Sequence, residues 1–344
     1  MNKLRVGITA DVLKSDGVPI FGTAVLGLLD SPLLEWEYMP QPSIDLSPDQ
    51  CARYDAVCAM VTRVTAESLS RPDLRLKLIA RFGVGYDSID VPACSRAGVL
   101  LTIAPDGVRR PVATSALTLV LMLAQKILVK DRLTRAGRWA EKMDHIGTGL
   151  TGRTLGSIGM GNIGAELFRL AKPFEMQCMA HDPVADPALA LALGVRLVDI
   201  DTLFRESDFL TVNCPLNAFT KGLVSARLIG LMKPGAYLVI TARGPIVDET
   251  ALYAALAGGR IAGAGLDVFE EEPVRADNPI LQLDNVVVTP HGICFTDECM
   301  RRLAESAFRA TLDVASGRQP QYIVNPDALA AGRWNGRVAG TAKP

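Results

Sequence analysis

The stretch RTLGSIGMGNIGAELFRL, from Arg153 to Leu170, decides the fold of this chain. Residues 154–158 favour a strand, GMGNIG at 159–164 follows as G-x-G-x-x-G, and an apolar stripe at helical spacing continues to the end of the stretch. A strand, a glycine turn and a helix in this order form the context in which the pattern predicts a dinucleotide-binding turn.

Three glycines and the start of the helix have separate tasks in such a turn. Gly159 permits the tight turn, Gly161 lets a pyrophosphate approach the backbone, and Gly164 lets helix and strand pack closely. Asn162 and Ile163 begin the helix, whose unpaired N–H groups and partial positive charge face the phosphates. We therefore predict that these five residues bind the cofactor.

An acidic residue supports the same interpretation. The next strand, at 177–180, leads to Asp182, which lies 18 residues beyond Gly164. An acid near this position hydrogen-bonds the ribose hydroxyls, and its charge repels a 2′-phosphate, so NAD is predicted over NADP. The alternative is a turn at which two strands only meet closely. The strand, the helix and Asp182 together favour the cofactor.

Length, composition and charge limit what the chain can be. Its 344 residues exceed one typical core, so two domains are expected. Hydrophobic residues make up 49% and charged residues 21%, which is typical of a folded globular protein. The net charge of −1 gives no field that attracts nucleic acid or an anionic membrane, so neither is predicted as a partner.

The cysteines and the apolar segments favour a cytoplasmic location. Seven scattered cysteines never form C-x-x-C, which is typical of reduced cytosolic thiols rather than of disulfides or a zinc site, and no metal site is predicted. The N-terminus lacks the long apolar core of a signal peptide. The run Val112–Val129 holds polar residues such as Gln125 and Lys126, so we expect a helix buried on most sides rather than a membrane span.

The order of the predicted elements indicates an α/β fold. In the first 105 residues, strands are predicted at Leu4–Thr9, Trp36–Met39, Ala56–Val61 and Leu76–Arg81. After Asp182, strands are predicted at Arg196–Val198, Phe209–Val212, Ala236–Ile240, Ala262–Leu266 and Asn285–Thr289. Helical segments alternate with these strands, which implies parallel, doubly wound sheets, and the amphipathic segment Thr296–Ser316 is a closing helix.

Polar residues follow the last three predicted strands. Thr241 and Arg243 follow one strand, Asp267 follows the next, and His291 follows the last. Ligands of open parallel sheets bind beyond the carboxyl ends of the strands, where the glycine turn also lies. An arginine, an acid and a histidine are thus predicted to share one edge with the nicotinamide end of a dinucleotide.

These residue types fit one reaction. Hydride transfer between nicotinamide and a carbon bearing a hydroxyl requires a proton donor or acceptor, and histidine titrates near neutrality. A carboxylate would raise the pKa of His291, but periodicity does not say which residue of the run Glu270–Glu272 reaches it. Arg243 suits a substrate carboxylate, so a 2-hydroxy or 2-keto acid is predicted. His145 and His181 are predicted to be non-catalytic.

Over residues 76–325 the chain resembles the D-isomer-specific 2-hydroxyacid dehydrogenases. The resemblance rests on ordered, family-spaced segments: GVGYD at 83–87, the glycine turn with Asp182, CPL at 214–216 with Thr220, ARG at 242–244 with VDE at 247–249, LDVFE at 266–270, EP at 272–273, and TPH at 289–291.

The resemblance implies a catalytic set of Arg243, Glu272 and His291, and it selects Glu272 from the acidic run. It implies that Val84 and Gly85 offer N–H groups to the substrate carboxylate. The cofactor-binding positions that we assign beyond the glycine turn are Cys214, Pro215, Thr241 and Asp267.

The family fold has two Rossmann-like or flavodoxin-like domains. It implies a discontinuous substrate domain of residues 1–106 plus about 300–344, an NAD-binding domain at 107–299, and a homodimer formed through the latter. D stereochemistry comes from the resemblance alone.

Four places depart from the family pattern. Ile240 stands where Asn is common, Ile103-Ala-Pro replaces Asn-Thr-Pro, and Thr114 replaces Glu. After His291, the residues up to Phe295 are larger than usual, so Phe295 is expected to narrow the pocket.

We therefore predict an NAD-dependent enzyme that interconverts 2-keto and D-2-hydroxy acids, usually as a reductase. The alternative is an NADH-sensing regulator on the same fold, similar to transcriptional corepressors. A methyltransferase turn for S-adenosylmethionine would leave the three strand-end residues without a purpose. Glyoxylate, hydroxypyruvate, phosphoglycerate and bulkier acids all remain open as substrates.

Overall fold

The structure, a computed structural model, describes residues 3–40, 44–331 and 334. Its strands, β1 to β12, are Leu4–Ile8, Leu34–Tyr38, Ala56–Ala59, Leu78–Arg81, Leu100–Thr102, Thr154–Ile158, Gln177–His181, Val195–Leu197, Phe209–Val212, Tyr237–Ile240, Gly263–Leu266 and Val286–Val288. Its α-helices, α1 to α10, are Pro48–Arg53, Val91–Arg96, Pro105–Ala124, Ile127–Arg135, Asn162–Ala171, Pro187–Leu193, Ile200–Glu206, Ala226–Ile229, Glu249–Ala257 and Asp297–Ala315. Short 3-10 helices lie at Ala10–Val12, Ala24–Leu29, Glu67–Leu69, Trp139–His145, Lys172–Phe174, Gly244–Ile246, Pro279–Gln282 and Pro326–Ala330.

The chain divides into two compact units. Unit 1 comprises Met1–Val108 and Phe295–Pro344, and unit 2 comprises Arg109–Cys294. The sequence predicted a substrate domain of residues 1–106 with about 300–344 and an NAD-binding domain of residues 107–299. The assignment of these two functions to these ranges stays a prediction. Their residues 1–2, 41–43, 332–333 and 335–344 lie outside the described residues.

Each unit is built on a parallel sheet. Unit 1 has the strand order β2-β1-β3-β4-β5, which is the flavodoxin-like order. Unit 2 has the order β12-β11-β10-β9-β6-β7-β8, which is the Rossmann order with one further strand. The strand order of unit 2 reverses between β6 and β9, and this switch point is where open α/β sheets bind ligands. The predicted α/β class with doubly wound parallel sheets is confirmed.

The core of unit 1 joins its two chain segments. The Phe308 ring in α10 packs edge-on against the rings of Phe21 and Phe82, with centroids 5.5 and 5.9 Å apart. The helix begins where the Thr296 side chain accepts a hydrogen bond from the Cys299 N–H, and it ends before Ser316. The predicted closing helix Thr296–Ser316 is therefore confirmed, with both end residues acting as caps.

The predicted continuous helix Val112–Val129 is wrong. The structure has two helices in this region. Helix α3 runs from Pro105 to Ala124, and α4 starts after Lys126, whose backbone is in the left-handed conformation (φ 50°). The Ala124 carbonyl accepts the N–H of Thr148 at 2.7 Å, a partner 24 residues away that an apolar run does not reveal. By length and composition α3 could span a membrane, but 61% of its apolar window is buried inside the protein, and core helices share this property.

Two features of unit 1 lack a sequence signal. Strand β5 has only three residues, too few for a readable period. The chain after 320 is polar, yet Ile323 bridges to Thr102, and the buried Asn325 side chain accepts the N–H of Leu101 at 2.8 Å. The Trp334 ring donates to the Gly98 carbonyl at 2.9 Å. Single side chains, rather than a periodic pattern, attach this segment to the sheet.

Candidate active site

The glycine turn follows β6 at the switch point of unit 2. Gly159 has φ +91°, and a Cβ there would lie 2.9 Å from the backbone nitrogen of Cys214. A Cβ on Gly164 would lie 2.4 Å from the carbonyl oxygen of Gly159. A Cβ on Gly161 would meet no atom within 4 Å. Gly159 and Gly164 are thus needed for packing within the turn. Gly161 instead leaves open space at the outer side of the turn.

The start of α5 has the chemistry that a dinucleotide phosphate requires. Gly161 is the N-cap and has no side chain that could bond the first N–H groups. Asn162 is exposed and Ile163 is half-buried against the core of the sheet. The uncapped N–H groups and the open space at Gly161 together fit a pyrophosphate.

A buried polar network supports the turn from below. The Ser157 hydroxyl donates to the Gly159 carbonyl at 2.6 Å, and the Thr211 hydroxyl donates to the Gly156 carbonyl at 3.0 Å. The Asn213 amide donates to both hydroxyls at 2.9 Å. This network has no signal in the sequence, because its members come from the ends of two strands, β6 and β9, about 55 residues apart.

Asp182 lies directly beside the turn. Its Oδ2 accepts the N–H of Met160 at 2.8 Å, and its Oδ1 accepts the N–H of Val184 at 3.0 Å. The carboxylate is half-buried at the end of β7. This position fits a ribose ligand, and its role toward the cofactor stays a prediction.

Cys214 and Pro215 follow β9 on the same edge. Burial, with a smaller contribution from the charge of Asp182, raises the pKa of the Cys214 thiol to about 11, so the thiol is neutral and unreactive at neutral pH. Pro215 is exposed, and its carbonyl accepts the Thr220 hydroxyl at 2.6 Å. The predicted contact of both residues with the cofactor stays a prediction.

Backbone hydrogen bonds bring the last three strand ends together. The N–H of Asp267 bonds the Ile240 carbonyl at 3.0 Å, and the N–H of His291 bonds the Asp267 carbonyl at 2.8 Å. Thr241 is half-buried where β10 ends. The predicted convergence of strand-end residues within unit 2 is therefore present.

His291 and Glu272 form a hydrogen-bonded pair. His291 Nδ1 lies 2.6 Å from Glu272 Oε2, and Oε1 of the same carboxylate accepts the Phe269 N–H at 3.0 Å. The bond to Glu272 raises the pKa of His291, although burial and the charge of Arg243 oppose the rise. Burial raises the pKa of Glu272, but the bonds from His291 and Phe269 outweigh it and the pKa is lowered. The pair is thus tuned toward imidazolium and carboxylate.

Arg243 lies beside this pair in a turn that needs a glycine. Its charge acts on both His291 and Glu272, and its Nη1 donates to the Ala242 carbonyl at 2.7 Å. A Cβ on Gly244 would lie 1.8 Å from the Phe269 carbonyl oxygen. Only glycine therefore lets the segment that leads to Glu272 pass so close to the arginine turn.

Asp267 anchors the loop that carries His291. It is 4% exposed, and its Oδ1 accepts the Thr289 hydroxyl at 2.6 Å and the N–H groups of Gly292 and Ile293 at 3.0 and 3.1 Å. His291 itself has φ 50°, an uncommon conformation for a residue with a side chain. These contacts show how Asp267 holds the loop, and its contact with a cofactor stays a prediction.

The predicted substrate loop belongs to unit 1. Val84 and Gly85 follow β4 and are half-buried. Arg81 Nε donates to the Gly85 carbonyl at 3.2 Å, and the Ala104 N–H donates to the Gly83 carbonyl at 2.9 Å. These carbonyls have protein partners, and the N–H groups of Val84 and Gly85 remain the predicted ligands of a carboxylate.

The two other histidines lie outside this group in unit 2. His181 Nδ1 lies 3.1 Å from the Val198 carbonyl at the end of β7, and His145 ends the 3-10 helix Trp139–His145. These places agree with non-catalytic roles, which remain predictions.

Comparisons with known proteins agree with this geometry. Residues 117–292 match the family model described as D-isomer specific 2-hydroxyacid dehydrogenase, NAD binding domain. The chain is 35% identical to a glyoxylate reductase of Korarchaeum cryptofilum over 86% of this chain and 90% of the relative. It is 39% identical to a D-3-phosphoglycerate dehydrogenase of Archaeoglobus fulgidus over 79% of this chain, but it spans only 52% of that longer protein.

A solved structure supports the same assignment. The D-lactate dehydrogenase of Aquifex aeolicus, complexed with NAD and lactic acid, superimposes with a TM-score of 0.78 at 28% identity, over 91% of this chain and 96% of that one. Together with the matched domain, these similarities establish that the chain belongs to the D-isomer-specific 2-hydroxyacid dehydrogenases and is an NAD-dependent enzyme of that family.

Proposed function

We propose that the enzyme works mainly as an NADH-dependent reductase of 2-keto acids. In this proposal His291 is the proton donor, Glu272 is its partner, and Arg243 binds the substrate carboxylate and carbonyl. The observation that carries it is the 2.6 Å pair of His291 and Glu272 beside Arg243, on the sheet edge that also bears the glycine turn.

The pair defines which nitrogen acts. Glu272 occupies Nδ1 of His291, so Nε2 is left for the substrate oxygen. The cofactor supplies a hydride to the carbonyl carbon when it is bound. The protonated ring gives its Nε2 proton to the carbonyl oxygen, and Arg243 polarises that carbonyl, so a ketone becomes a secondary alcohol. In the reverse direction the neutral ring accepts the same proton.

The preference for NADH over NADPH rests on Asp182. Its carboxylate is held beside the turn by hydrogen bonds from two backbone N–H groups, and both bonds would be lost if it moved away from the turn. A 2′-phosphate placed there would meet a like charge. We therefore propose that NADH is the better substrate.

A homodimer through unit 2 is proposed from its exposed apolar side chains. Trp139, Met143 and Ile146, on and directly after the 3-10 helix Trp139–His145, are 66%, 67% and 67% exposed. Such a patch is typical of a protein interface. No disulfide joins the seven cysteines, all of which lie in the described part of the chain, and this supports the proposed cytoplasmic location.

The direct test is His291→Gln, with His145→Gln as the control. We expect His291→Gln to lose about 10²- to 10⁴-fold in turnover of any 2-keto acid, while NADH binding survives. The control should keep wild-type rates. Unchanged turnover in His291→Gln would show that His291 is not the proton donor. If the wild-type enzyme oxidises no NADH with any 2-keto acid of a panel, the reductase assignment is wrong.

A further inference from the structure

The segment VDE at 247–249 carries part of the resemblance but has no task in the proposed site. Val247 is buried, and the Asp248 side chain caps helix α9, so both residues serve the fold of unit 2. Glu249 is the first residue of α9, where an acid commonly stabilises the helix through its charge. Here both oxygens of the Glu249 carboxylate also bond another segment of unit 2, the one that carries Glu272.

That segment comprises residues 270–278, and we call it the Glu272 loop. Glu249 Oε2 accepts the backbone N–H of Glu270 at 2.9 Å, and Glu249 Oε1 accepts the side-chain amide of Asn278 at 2.6 Å. The amide oxygen of Asn278 in turn accepts the Ile280 N–H at 3.0 Å, so this side chain is itself held in place. One carboxylate therefore joins the first and the last residue of the Glu272 loop.

Two successive N–H groups at the start of the loop bind two different carboxylates. The Phe269 N–H bonds Glu272 Oε1 at 3.0 Å, and the next N–H, that of Glu270, bonds Glu249. The peptide unit between them also packs closely on Gly244, where a Cβ would lie 1.8 Å from the Phe269 carbonyl oxygen and 2.5 Å from the Glu270 nitrogen. The backbone that binds Glu272 is thus held by the Glu249 carboxylate and by the contact with Gly244.

We propose that Glu249 is a positioning residue for the proton transfer, because it holds the Glu272 loop so that the Glu272 carboxylate stays on His291. The inference rests on the proposed function, in which His291 gives its proton to the substrate. The Glu272 side chain is 34% exposed, so water competes for its oxygens. A carboxylate on a mobile loop would also lose conformational freedom each time it bonded the ring, and its bond would be weaker.

The charges around the ring show by which route Glu249 acts. The pKa of His291 is raised by the bond to Glu272, lowered by burial and by the charge of Arg243, and raised by the charge of Asp267. Within the described residues, the Glu249 side chain bonds only Glu270 and Asn278 of the Glu272 loop. Its effect on the ring therefore passes through the loop and Glu272.

The experiment follows the titration of the His291 ring by NMR, together with the pH profile of 2-keto acid reduction by NADH. The chain has three histidines, and the signal that His291→Gln removes identifies this ring. In Glu249→Ala the pKa of His291 should fall, and kcat/KM for reduction at mildly alkaline pH should fall about twofold, because a weakened pair still forms. Glu249→Gln keeps one acceptor oxygen and should lie between this variant and the wild type.

A neighbouring acid and a double variant separate positioning from a general loss of stability. Asp248→Ala removes the same charge and the cap of α9 but no bond to the Glu272 loop, so it should unfold at lower urea concentration with an unchanged titration. Adding Glu249→Ala to Glu272→Gln should move the titration no further, because Glu249 acts through Glu272.

Three results would each overturn the inference. These are an unmoved titration in Glu249→Ala, an equal movement in Asp248→Ala, and a further movement in the double variant. The NMR titration needs no turnover. If the wild-type enzyme reduces no 2-keto acid, the proposed function fails, while the titration still decides whether Glu249 holds the pair of Glu272 and His291.

Discussion

Replacing Glu272 with Gln removes the charge of the proposed pair while keeping its shape. The wild-type carboxylate accepts two hydrogen bonds, from the Phe269 N–H at 3.0 Å and from the His291 ring at 2.6 Å. An amide has one acceptor oxygen and cannot serve both. If that oxygen stays on Phe269, the amide NH₂ faces Nδ1 and can donate only to a neutral ring. Glu272→Gln therefore disfavours the imidazolium form of His291.

The size of the effect follows from the kind of bond and its exposure. A charge-assisted hydrogen bond contributes about 1.5–3 kcal/mol and a neutral one about 1 kcal/mol. The side chains of Glu272 and His291 are 34% and 45% exposed, so water screens part of the difference. About 1 kcal/mol remains, which corresponds to about a fivefold loss in kcat/KM for reduction at mildly alkaline pH.

Rate profiles over pH, in both directions, are the assay. In the proposed mechanism reduction needs protonated His291, whose pKa the wild-type carboxylate raises, so the rate of reduction should fall as pH rises through that pKa. In Glu272→Gln the pKa is lower, and the alkaline fall moves to lower pH. Oxidation needs the neutral ring, so its rising limb moves to lower pH as well, and Glu272→Asp should restore much of the wild-type profile.

The neighbouring acid Glu271 supplies the control. Glu271 is exposed in the same acidic run, and Glu271→Gln changes the net charge equally without touching the histidine bond. Its profiles should match the wild type. If Glu272→Gln leaves both limbs in place, or if Glu271→Gln moves them as far, the bond to Glu272 does not set the titration of His291, and the reasoning is refuted.

Three further changes probe the turn, the cofactor site and the assembly. Gly244→Ala places a Cβ 1.8 Å from the Phe269 carbonyl oxygen and should lower the free energy of unfolding in urea by about 1–3 kcal/mol. In Gly235→Ala, where the Cβ meets no atom within 4 Å, the change should stay within about 0.5 kcal/mol. Equal losses in the two variants would contradict the close packing at Gly244. Asp182→Ala should raise the kcat/KM ratio of NADPH to NADH about tenfold, and an unchanged ratio would show that this acid does not repel the 2′-phosphate. Trp139→Glu should convert the proposed dimer to monomer in light-scattering measurements of mass, and a species that keeps its mass would place the interface elsewhere.

The sequence predicted those parts of the site that depend on local order. The turn at 159–164 was predictable because the strand before it, the spacing of its glycines and the helix after it all lie within 18 residues. The edge shared by Arg243, Asp267 and His291 was predictable because residues after parallel strands meet at one side of a sheet.

Contacts between distant segments had no such signal. The break after Ala124 depends on the N–H of Thr148, and the need for Gly244 depends on the backbone at Phe269. Periodicity did not distinguish Glu272 from its acidic neighbours, and the resemblance to a family supplied that choice. In each case the deciding atom comes from another element, which alternation and composition do not report.

Two carboxylates on this edge have different tasks because their surroundings differ. Asp267 is buried and bonds the hydroxyl of Thr289 and two loop N–H groups, so it fixes the backbone around His291. That backbone holds His291 at φ 50°, an arrangement that costs about 1 kcal/mol or more and persists only where its surroundings enforce it. Glu272 is half-exposed and acts on the ring instead, through Nδ1. The backbone position of His291 is therefore held by Asp267, while the pKa of its ring is raised by Glu272.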